Sequence, residues 1–531
     1  MNILSIKPGH DGQVCSIEDG ALVFSHEAEK NSGRRYAEAS AYDLLSAAGS
    51  VQEKPAAIAV SGWSVGASPL GDPIGAGYLG LSTPRITQWN FLGQNILLGT
   101  SSHERSHLLC SYAMSPFPQG EPCYALIWEG FLGAIYKIDA GLNISKLVEV
   151  MRAPGDRYAF AHAIVDPAFS LPAGKMRLSD AGKVMALAGF YRTVEPSPEE
   201  AELLIRVLNS SEPSDCLDKA KYSHLDLYDS GIASDSSKRL ARLVTDEIFG
   251  RFFEALDRNC KEKYPLLIGG GCGLNCEWNS RLLQLGKFAG VFIPPCCNDT
   301  GSAIGTAVDI QWALTGKAKL IWNVYAGQDF EDDLSAIRSA GTGDFRLVGG
   351  GLPIIAEALR SGKIMAWVSG RCEIGPRALG NRSILAAPFL SDTRDRLNRI
   401  KQRECFRPIA PVCMEEDLMR CFEIGGTSPY MLQFAKVTSP KLGAITHVDG
   451  TARPQSVSRA QNALLHDLLF EFRKISGYGV LCNTSLNFKG CGFINRSTDL
   501  FRFAREFGLD GVVIEGALFL RPESMIESGH A

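Results

Sequence analysis

The sequence predicts an α/β protein with two or more compact domains. Its 531 residues exceed the size of one ordinary domain. Hydrophobic residues make up 45% of the chain and charged residues 21%, which supplies ample apolar material for a core. Short apolar stretches that end in glycine-containing turns alternate with segments of helical spacing. We therefore expect sheets covered by helices.

The N-terminus is predicted to form a strand followed by a β-hairpin. ILSI (3–6) is apolar, KPGHDG (7–12) has turn chemistry, and QVCSIEDGALVFSHEAEK (13–30) alternates around an EDG turn. A second strand–turn–strand unit follows in CYALIWEGFLGAIYKIDAG (123–141). Two hairpins of one type, each followed by helical sequence, predict an internally duplicated architecture.

A third apolar strand, YPLLIGGG (264–271), leads into CGLNCEWNSRLLQLG, whose apolar spacing is helical. A strand, glycines and then a helix are typical of phosphate-binding sites, because N–H groups at the helix start point at the anion. The Gly-, Asp- and Ser-rich region after residue 325 predicts a linker near 340–350. A helix, LPIIAEALRSG, and a strand, KIMAWVSG, then begin a second unit.

Composition also excludes several partners. A formal charge of −4 and a pI near 6.2 argue against nucleic acid, which needs a clustered basic surface. No apolar run approaches the roughly 18 residues of a membrane helix. The N-terminus lacks a signal-peptide h-region, so we expect a cytoplasmic location in which the 15 cysteines are reduced thiols.

Two histidines suggest a metal site. His103 and His107 are four residues apart in a segment of helical spacing, so both imidazoles can face one ion, although ordinary packing of the pair is the alternative. Glu129, in the second hairpin turn, and Asp299, after a strand-like VFIPP, could complete the set. Two imidazoles with carboxylates suit non-haem iron, and manganese or zinc would tolerate the same site.

A second constellation of cationic and polar residues lies in Gly/Pro-rich segments between 370 and 487. Any single arginine there could be a solvated surface charge, but the combination predicts a polyphosphate or acyl-phosphate site, because guanidinium forks and hydroxyls bind phosphate oxygens. Its members are Arg371, Arg377, Arg382, Lys401, Arg403, Arg407, Arg453, Asn483, Thr484, Ser485 and Asn487.

These segments resemble the O-carbamoyltransferases of antibiotic biosynthesis and nodulation-factor modification. The resemblance spans nearly the whole chain, and GRCEIGPRALGNRSIL is its most specific part. The other stretches are HDG, HERSH, GKVMALAG, GGGCGLNCEWN, NDTGSAIG, RECFRPIAP, HVDGTAR and NTSLNFKG.

The resemblance implies an actin/sugar-kinase-like transfer domain, similar to the tRNA-threonylcarbamoyl transferase, at 1–342 and a YrdC-like domain at 343–531. The YrdC-like domain would convert carbamoyl phosphate and ATP with Mg²⁺ into carbamoyl adenylate. The N-terminal domain, with Fe²⁺ or another divalent metal, would then pass the carbamoyl group to a hydroxyl of a small molecule. A homodimer is left open.

Site roles carried over from the family follow its motifs. The metal ligands would be His103, His107 and Asp299, with Glu129 standing where the family usually has Asp. His10 and Asp11 would lie beside the acceptor as the base region. Arg34 or Arg35 would contact the adenylate, and the nucleotide loop and cleft would be formed by Lys183, Gly270, Gly271 and Asn275.

Departures such as KPGHDG and GKVMALAGF indicate one branch of the family without fixing the acceptor. The sequence disfavours three other functions. A tRNA-modifying threonylcarbamoyl-type transferase is disfavoured by net acidity. A metal-dependent hydrolase or a hydrogenase-maturation carbamoyl carrier is disfavoured because that carrier's zinc-finger CxxC pairs are missing. An idle binding module is disfavoured by the retained His pair and arginine set.

Overall fold

A computed structural model describes residues 1–64, 71–91, 93–333, 342–349, 351–488 and 491–522. Residues 340, 341 and 350 of the expected linker and the last two residues of NTSLNFKG lie outside these ranges. No helix in the described ranges is long and apolar enough to cross a membrane. The division into domains at 342 and 343 stays a prediction.

The first sheet has six strands in the order β3-β2-β1-β4-β8-β7. β1, β2 and β3 form an antiparallel meander, β4 and β8 run parallel to β1, and β7 closes the edge antiparallel to β8. The predicted EDG turn joins β2 to β3. The elements to the end of this unit are β1 (Asn2–Lys7), β2 (Gln13–Glu18), β3 (Ala21–Glu27), α1 (Glu29–Ser32), α2 (Ala41–Gly49), β4 (Ala57–Ser61), β5 (Trp63–Ser64), β6 (Pro73–Ile74), β7 (Arg85–Phe91), β8 (Gln94–Ser101) and α3 (His103–Met114).

The second sheet repeats this topology with five strands in the order β11-β10-β9-β12-β13, again a meander followed by two parallel strands. The internal duplication that the hairpins predicted is therefore confirmed. The elements are β9 (Cys123–Trp128), β10 (Gly133–Ile138), β11 (Ile144–Glu149), α4 (Pro154–Ala163), α5 (Ala181–Ala188), α6 (Pro198–Asn209), α7 (Pro213–Cys216), α8 (Asp235–Asn259), β12 (Leu266–Gly269), α9 (Cys276–Gln284), β13 (Val291–Phe292) and α10 (Ser302–Thr315).

Helices α3 and α10 lie between the two sheets and join them into one core. Helix α3 packs on β9 and β12, whereas α10 packs on β1, β2 and β4. Leu108, Ile127 and Ile304 are among the fully buried side chains of this core. The helices approach so closely at Gly305 that a Cβ there would lie 1.8 Å from the carbonyl oxygen of Ser106. This α/β arrangement is the actin/sugar-kinase-like class that the resemblance implied.

The C-terminal part is built on an eight-stranded mixed sheet in the order β14-β24-β23-β15-β16-β22-β17-β21, with a three-stranded sheet β18-β19-β20 beside it. Alternate side chains of β15 enter two different cores, so Trp367 packs with α11 and α14 while Ala366 packs with α12, α13 and α15. The elements are β14 (Arg346–Leu347), α11 (Leu352–Arg360), β15 (Met365–Val368), β16 (Arg382–Ala386), α12 (Ser391–Ile400), β17 (Ala410–Met414), α13 (Glu415–Cys421), β18 (Phe422–Glu423), β19 (Ala435–Val437), β20 (Thr451–Ala452), β21 (Gln455–Val457), α14 (Ala463–Ser476), β22 (Val480–Ser485), α15 (Ser497–Glu506), β23 (Gly511–Ile514) and β24 (Ala517–Leu520).

Hydrogen bonds join the first hairpin to residues 321–375, and so join the N-terminal and C-terminal parts of the chain. The carbonyls of Ile321 and Ala326 accept N–H bonds from strand β3 at 2.8 and 2.7 Å. Lys30 is buried, pairs with Glu27 at 3.2 Å and donates to the carbonyl of Gly375 at 2.9 Å. The loop that carries the most specific motif is thus held against the N-terminal hairpin.

Candidate active site

Four buried side chains from separated parts of the sequence converge at the base of a cavity. His103 and His107 lie on the first turns of α3, Glu129 follows β9, and Asp299 begins a 3₁₀ turn before α10. One ligand atom of each lies within 4.8 Å of the others. The His103 and His107 Nε2 atoms are 3.1 Å apart, and Glu129 Oε2 lies 3.3 and 3.1 Å from them.

This donor set fits a divalent metal ion. Asp299 Oδ1 is 3.6 Å from His103 Nε2 and 3.4 Å from His107 Nε2. Ligands bound at about 2.1 Å would be separated by about 3.0–3.4 Å, close to these spacings. Glu129, where the family usually has Asp, reaches the cluster with its longer side chain. We call His103, His107, Glu129 and Asp299 the metal cluster.

The charges of the cluster reinforce that fit. Burial opposes ionisation of Glu129, but His103 and His107 outweigh it and lower the Glu129 pKa to about 2. Burial likewise opposes ionisation of Asp299, whose pKa Lys7 and His103 hold well below its usual range. Burial lowers the pKa of His103. Burial also lowers the pKa of His107, but hydrogen bonds to Asp299 and Glu129 outweigh it and raise that pKa to about 9. A divalent cation would therefore find two ionised carboxylates and would displace a proton from His107 on binding.

Polar groups surround the cluster on its cavity side. Tyr78 Oη donates to Glu129 Oε1 at 2.8 Å, and Lys7 Nζ lies 3.0 Å from Asp299 Oδ2. His10 lies between the cluster and the cavity, with Nε2 3.6 Å from Asp299 and Nδ1 3.6 Å from Asp11. Burial lowers the pKa of His10, but the negative charges of Asp299 and Asp11 outweigh burial, so the pKa of His10 is raised overall. The predicted HD pair therefore faces the cavity beside the metal cluster.

A group of arginines lines the same cavity. It consists of Arg377, Arg403, Arg407 and Arg453, which we call the arginine cradle, and it is accompanied in the cavity lining by Lys183, Lys401, Asn483, Thr484 and Ser485. Asn275, Gly271 and Arg35 line the same cavity. These residues come from both parts of the chain, which only the tertiary structure brings together.

The cradle is under electrostatic strain. Burial and Arg453 lower the pKa of Arg377 to about 10, and burial and Arg407 lower that of Arg403 to about 9. Buried nitrogens of Arg377, Arg403 and Arg453 have no hydrogen-bond partner among the described residues. Cations that depress one another's pKa and leave N–H groups unbonded form a site that an anionic ligand would relieve.

Several predicted residues do not reach the cavity. Arg382 lies on the central strand β16 and donates to the carbonyls of Ser369 and Asn381 at 3.0 and 2.8 Å. Arg371 donates to the carbonyls of residues 326 and 327 at 2.9 Å each. Both were predicted as anion ligands, but backbone carbonyls already occupy their guanidinium groups. Arg34 is exposed outside the cavity, whereas its neighbour Arg35 lines it.

The glycine loop differs from the expected phosphate loop. A 3₁₀ turn over Gly271–Leu274 separates strand β12 from helix α9. Asn275 Oδ1 caps α9 by accepting from the N–H groups of Glu277 and Trp278 at 3.1 and 3.3 Å, so these two are not free for an anion. Gly270 has φ +87°, and a Cβ there would lie 2.3 Å from the Trp128 carbonyl oxygen. Gly270 therefore permits a close backbone approach and lies outside the cavity lining.

Lys401 and Lys183 have protein partners rather than open ammonium groups. Lys401 Nζ donates to Asn487 Oδ1 at 2.6 Å and holds the 485–487 loop, and burial lowers its pKa. Lys183 Nζ lies 3.0 Å from Asp180 and 3.5 Å from Glu404. Glu404 in turn is 3.6 Å from Arg407. Lys183 therefore connects helix α5 to the arginine cradle.

One cavity of about 690 Å³ contains both sites. Glu129, Asp299 and the arginine cradle all line it, so two groups that the sequence assigned to separate domains share one space. Sequence reasoning also missed Asp156 and the role of Tyr78 in binding Glu129. Asp156 lines the cavity at the start of α4, and no motif in the sequence marked it.

Comparison with known proteins identifies the family. The family models described as Carbamoyltransferase N-terminus and Carbamoyltransferase C-terminus match residues 94–308 and 356–521. A 3'-hydroxymethylcephem-O-carbamoyltransferase of Amycolatopsis lactamdurans is 43% identical over 98% of this chain and 100% of its own length. The chain belongs to the carbamoyltransferase family. It is an enzyme that transfers a carbamoyl group to a hydroxyl in natural-product biosynthesis.

This carbamoyltransferase was also compared with a second sequence relative and with a solved structure. The 3'-hydroxymethylcephem-O-carbamoyltransferase of Streptomyces clavuligerus is also 43% identical, over 98% of this chain and 99% of the relative. The branch that the sequence departures indicated is thereby confirmed. A solved structure of the activator of the 2-hydroxyisocaproyl-CoA dehydratase from Clostridium difficile with bound ADPNP is 12% identical, with a TM-score of 0.35, over 60% of this chain and 97% of that chain.

Proposed function

We propose that this carbamoyltransferase makes carbamoyl adenylate at the arginine cradle and transfers its carbamoyl group to an acceptor hydroxyl beside the metal cluster. The observation that carries the proposal is the single cavity lined by both groups. An intermediate formed at the arginine cradle would share this cavity with the metal cluster. This supports a direct transfer of a labile mixed anhydride.

The first reaction needs two anionic substrates in one place. Water would first release phosphate from carbamoyl phosphate, and the resulting carbamate oxygen would attack the α-phosphorus of ATP, bound with Mg²⁺, to give carbamoyl adenylate with pyrophosphate as the leaving group. Arg377, Arg403 and Arg453 have N–H groups without a partner among the described residues, and these groups suit phosphate oxygens. Holding both substrates against their mutual repulsion is the contribution that the cradle would make.

The second reaction needs an activated hydroxyl and a stabilised carbonyl. A carbamoyl group is a poor electrophile because its nitrogen donates into the carbonyl, and adenylation supplies the good leaving group. His10 faces the cavity next to Asp299, where its imidazole would accept the hydroxyl proton as attack proceeds. Asp11, 3.6 Å from His10 Nδ1, would orient the ring.

His103, His107, Glu129 and Asp299 would hold Fe²⁺ or another divalent ion. When bound, such an ion stabilises negative charge that develops in a transition state. Lys7 and Tyr78 orient the two carboxylates through their contacts with Asp299 and Glu129. Among metals that accept two imidazoles and two carboxylates, iron(II) agrees with the family resemblance.

We propose a hydroxymethylated cephem as the acceptor. The two relatives that are 43% identical over nearly their full length carry that substrate in their names. Tyr158, Met176 and Leu178 give the cavity lining apolar surface that would receive its ring system.

The test measures the two reactions separately in the same preparation. Purified protein is incubated with ATP, Mg²⁺ and carbamoyl phosphate, and pyrophosphate release is followed with and without a 3'-hydroxymethylcephem. We expect pyrophosphate release that depends on carbamoyl phosphate, and a carbamate product of the expected mass only when the cephem is present. Absence of pyrophosphate release would refute adenylate formation. Release without any cephem carbamate would refute the acceptor.

A further inference from the structure

The cavity carries charges of both signs. The arginine cradle supplies positive charge. Nine carboxylates also line the cavity, namely Asp11, Glu27, Glu29, Glu129, Asp156, Glu277, Asp299, Glu404 and Asp449. The cradle suits an anionic nucleotide, and a carboxylate without a protein partner suits a ligand that carries positive charge or hydrogen-bond donors.

Eight of these nine carboxylates are already engaged by the protein. Their partners in the described part of the chain are Asn298 for Asp11 at 3.2 Å, Lys30 for Glu27 at 3.2 Å, Arg35 for Glu29 at 2.9 Å, Tyr78 for Glu129 at 2.8 Å, Arg242 for Glu277 at 2.7 Å, Lys7 for Asp299 at 3.0 Å, Lys183 for Glu404 at 3.5 Å and the Thr451 N–H for Asp449 at 2.8 Å.

Asp156 is the exception, because it has no hydrogen bond or ion pair with any described residue. Its position is nevertheless fixed. Helix α4 begins at Pro154, and the Gly155 N–H donates to the carbonyl of Glu129 at 2.9 Å, which fastens this turn to the hairpin of the metal cluster. A Cβ on Gly130 would lie 3.7 Å from Asp156 Oδ1. The carboxylate thus faces the cavity beside Glu129.

The surroundings make an unpaired carboxylate costly here. Burial raises the pKa of Asp156 to about 7, and Glu129 adds repulsion, while Lys175, His10 and Arg157 act on it only through space. Asp156 is partly exposed, and it lines the cavity. A carboxylate there without a protein partner gains most from a cationic donor, since charge-assisted hydrogen bonds are about twice as strong as neutral ones. Within the described residues, that donor is not supplied by the protein.

We propose that Asp156 determines acceptor specificity by binding a protonated amino group of the acceptor while the acceptor hydroxyl lies near His10. The inference rests on the proposed function in one respect, that the acceptor binds beside the metal cluster. It adds that the acceptor is an amino alcohol in the broad sense, with its amino group on the Asp156 side of the reacting hydroxyl.

The test uses equilibrium binding and two matched ligands. They are a 3'-hydroxymethylcephem with a free amino group on its acyl side chain and the same compound N-acetylated. Calorimetry compares the wild-type protein with Asp156→Asn, Asp156→Glu and the surface control Glu195→Gln, which removes the same charge from an exposed position. Pyrophosphate release without acceptor is measured on each protein to confirm that the cradle is intact.

We expect the wild-type protein and Glu195→Gln to bind the free amine about 10- to 100-fold more tightly than the N-acetylated compound. Asp156→Asn should bind the two compounds equally, and Asp156→Glu should recover part of the discrimination, with pyrophosphate release unchanged in all four proteins. Equal binding, or no binding, of the two compounds by the wild-type protein would overturn the proposal, as would discrimination that survives Asp156→Asn. Binding discrimination without carbamate product would refute the proposed acceptor reaction while leaving the role of Asp156 intact.

Discussion

Replacing Arg377 with methionine should separate the function of the arginine cradle from the stability of the protein. Arg377 makes one hydrogen bond to protein at Nη2, 2.9 Å from the Leu274 carbonyl, and its buried Nε has no partner among the described residues. The positive charges of Arg453 and Arg407 repel the charge of Arg377. Methionine retains most of the side-chain volume and removes the charge.

The magnitude follows from the lowered pKa of Arg377. A fall from 12.5 to about 10 corresponds to about 3 kcal/mol of unfavourable free energy for the charged form. At pH 7 arginine is charged in both the folded and the unfolded states. Because solvent in the cavity screens the charge, removing it should stabilise the folded state by about 1–1.5 kcal/mol. The lost bond to Leu274 costs about 1 kcal/mol. The ligand-free variant should therefore be as stable as the wild-type protein, or slightly more stable.

Ligand binding should show the opposite sign. Loss of a charge-assisted phosphate contact weakens ATP binding by about 10- to 100-fold. At an ATP concentration near 100 times the wild-type Kd, ligand stabilisation would fall from about 2.7 kcal/mol to about 0.4 kcal/mol for a 100-fold loss. The control is Arg399→Ala, which removes an exposed arginine of helix α12 outside the cavity.

The assay is denaturant unfolding with and without ATP, together with the rate of pyrophosphate release. We expect equal ligand-free stability, a reduced effect of ATP and slower pyrophosphate release for Arg377→Met, with wild-type behaviour for Arg399→Ala. Ligand-free destabilisation by more than about 2 kcal/mol would mean that Arg377 is structural. Wild-type pyrophosphate release would remove it from the cradle altogether.

Three further predictions address other parts of the site. His103→Ala should lose bound metal, measured by elemental analysis, together with carbamate product, while pyrophosphate release continues at the cradle. Lys183→Met should weaken ATP binding about fivefold, because Glu404, released from its 3.5 Å contact, pairs more strongly with Arg407. His26→Gln should reduce the decrease in unfolding free energy that acidification causes. Burial and Arg371 lower the His26 pKa to about 4, so folding excludes its proton and stability falls by about 1 kcal/mol from pH 7 to pH 5.

Each of these predictions has an opposing outcome. Full metal content and transfer activity in His103→Ala would make the His pair structural. Unchanged ATP affinity in Lys183→Met, with Asp180→Asn tested alongside to loosen the same lysine, would show that the bridge to Glu404 does not position the cradle. An unfolding free energy with the same pH slope in His26→Gln and in the wild-type protein would assign the acid sensitivity to other groups.

The sequence predicted the local elements well because their signals are local. The EDG turn, the strand before Gly270 and the helix that carries His103 and His107 depend on patterns within a few residues. The family motifs likewise indicated both the metal cluster and most of the arginine cradle. Arg382 shows the limit of such reasoning. A motif marks an arginine as important but does not tell whether its guanidinium faces a ligand or, as here, the carbonyls of Ser369 and Asn381.

What the sequence by itself determined is therefore the family, the duplicated α/β architecture and the chemical types of side chain available. Only the tertiary structure decided which of them share one space. Glu129 and Arg377 are separated by nearly half of the chain, yet they line one cavity. They do so because α3 and α10 bury the two N-terminal sheets together, while the 321–327 segment and Lys30 join the C-terminal sheet to them. Asp156 carries no sequence signal because its significance is the lack of a partner among the described residues. That property arises from the arrangement of all its neighbours in space, and a linear pattern does not encode it.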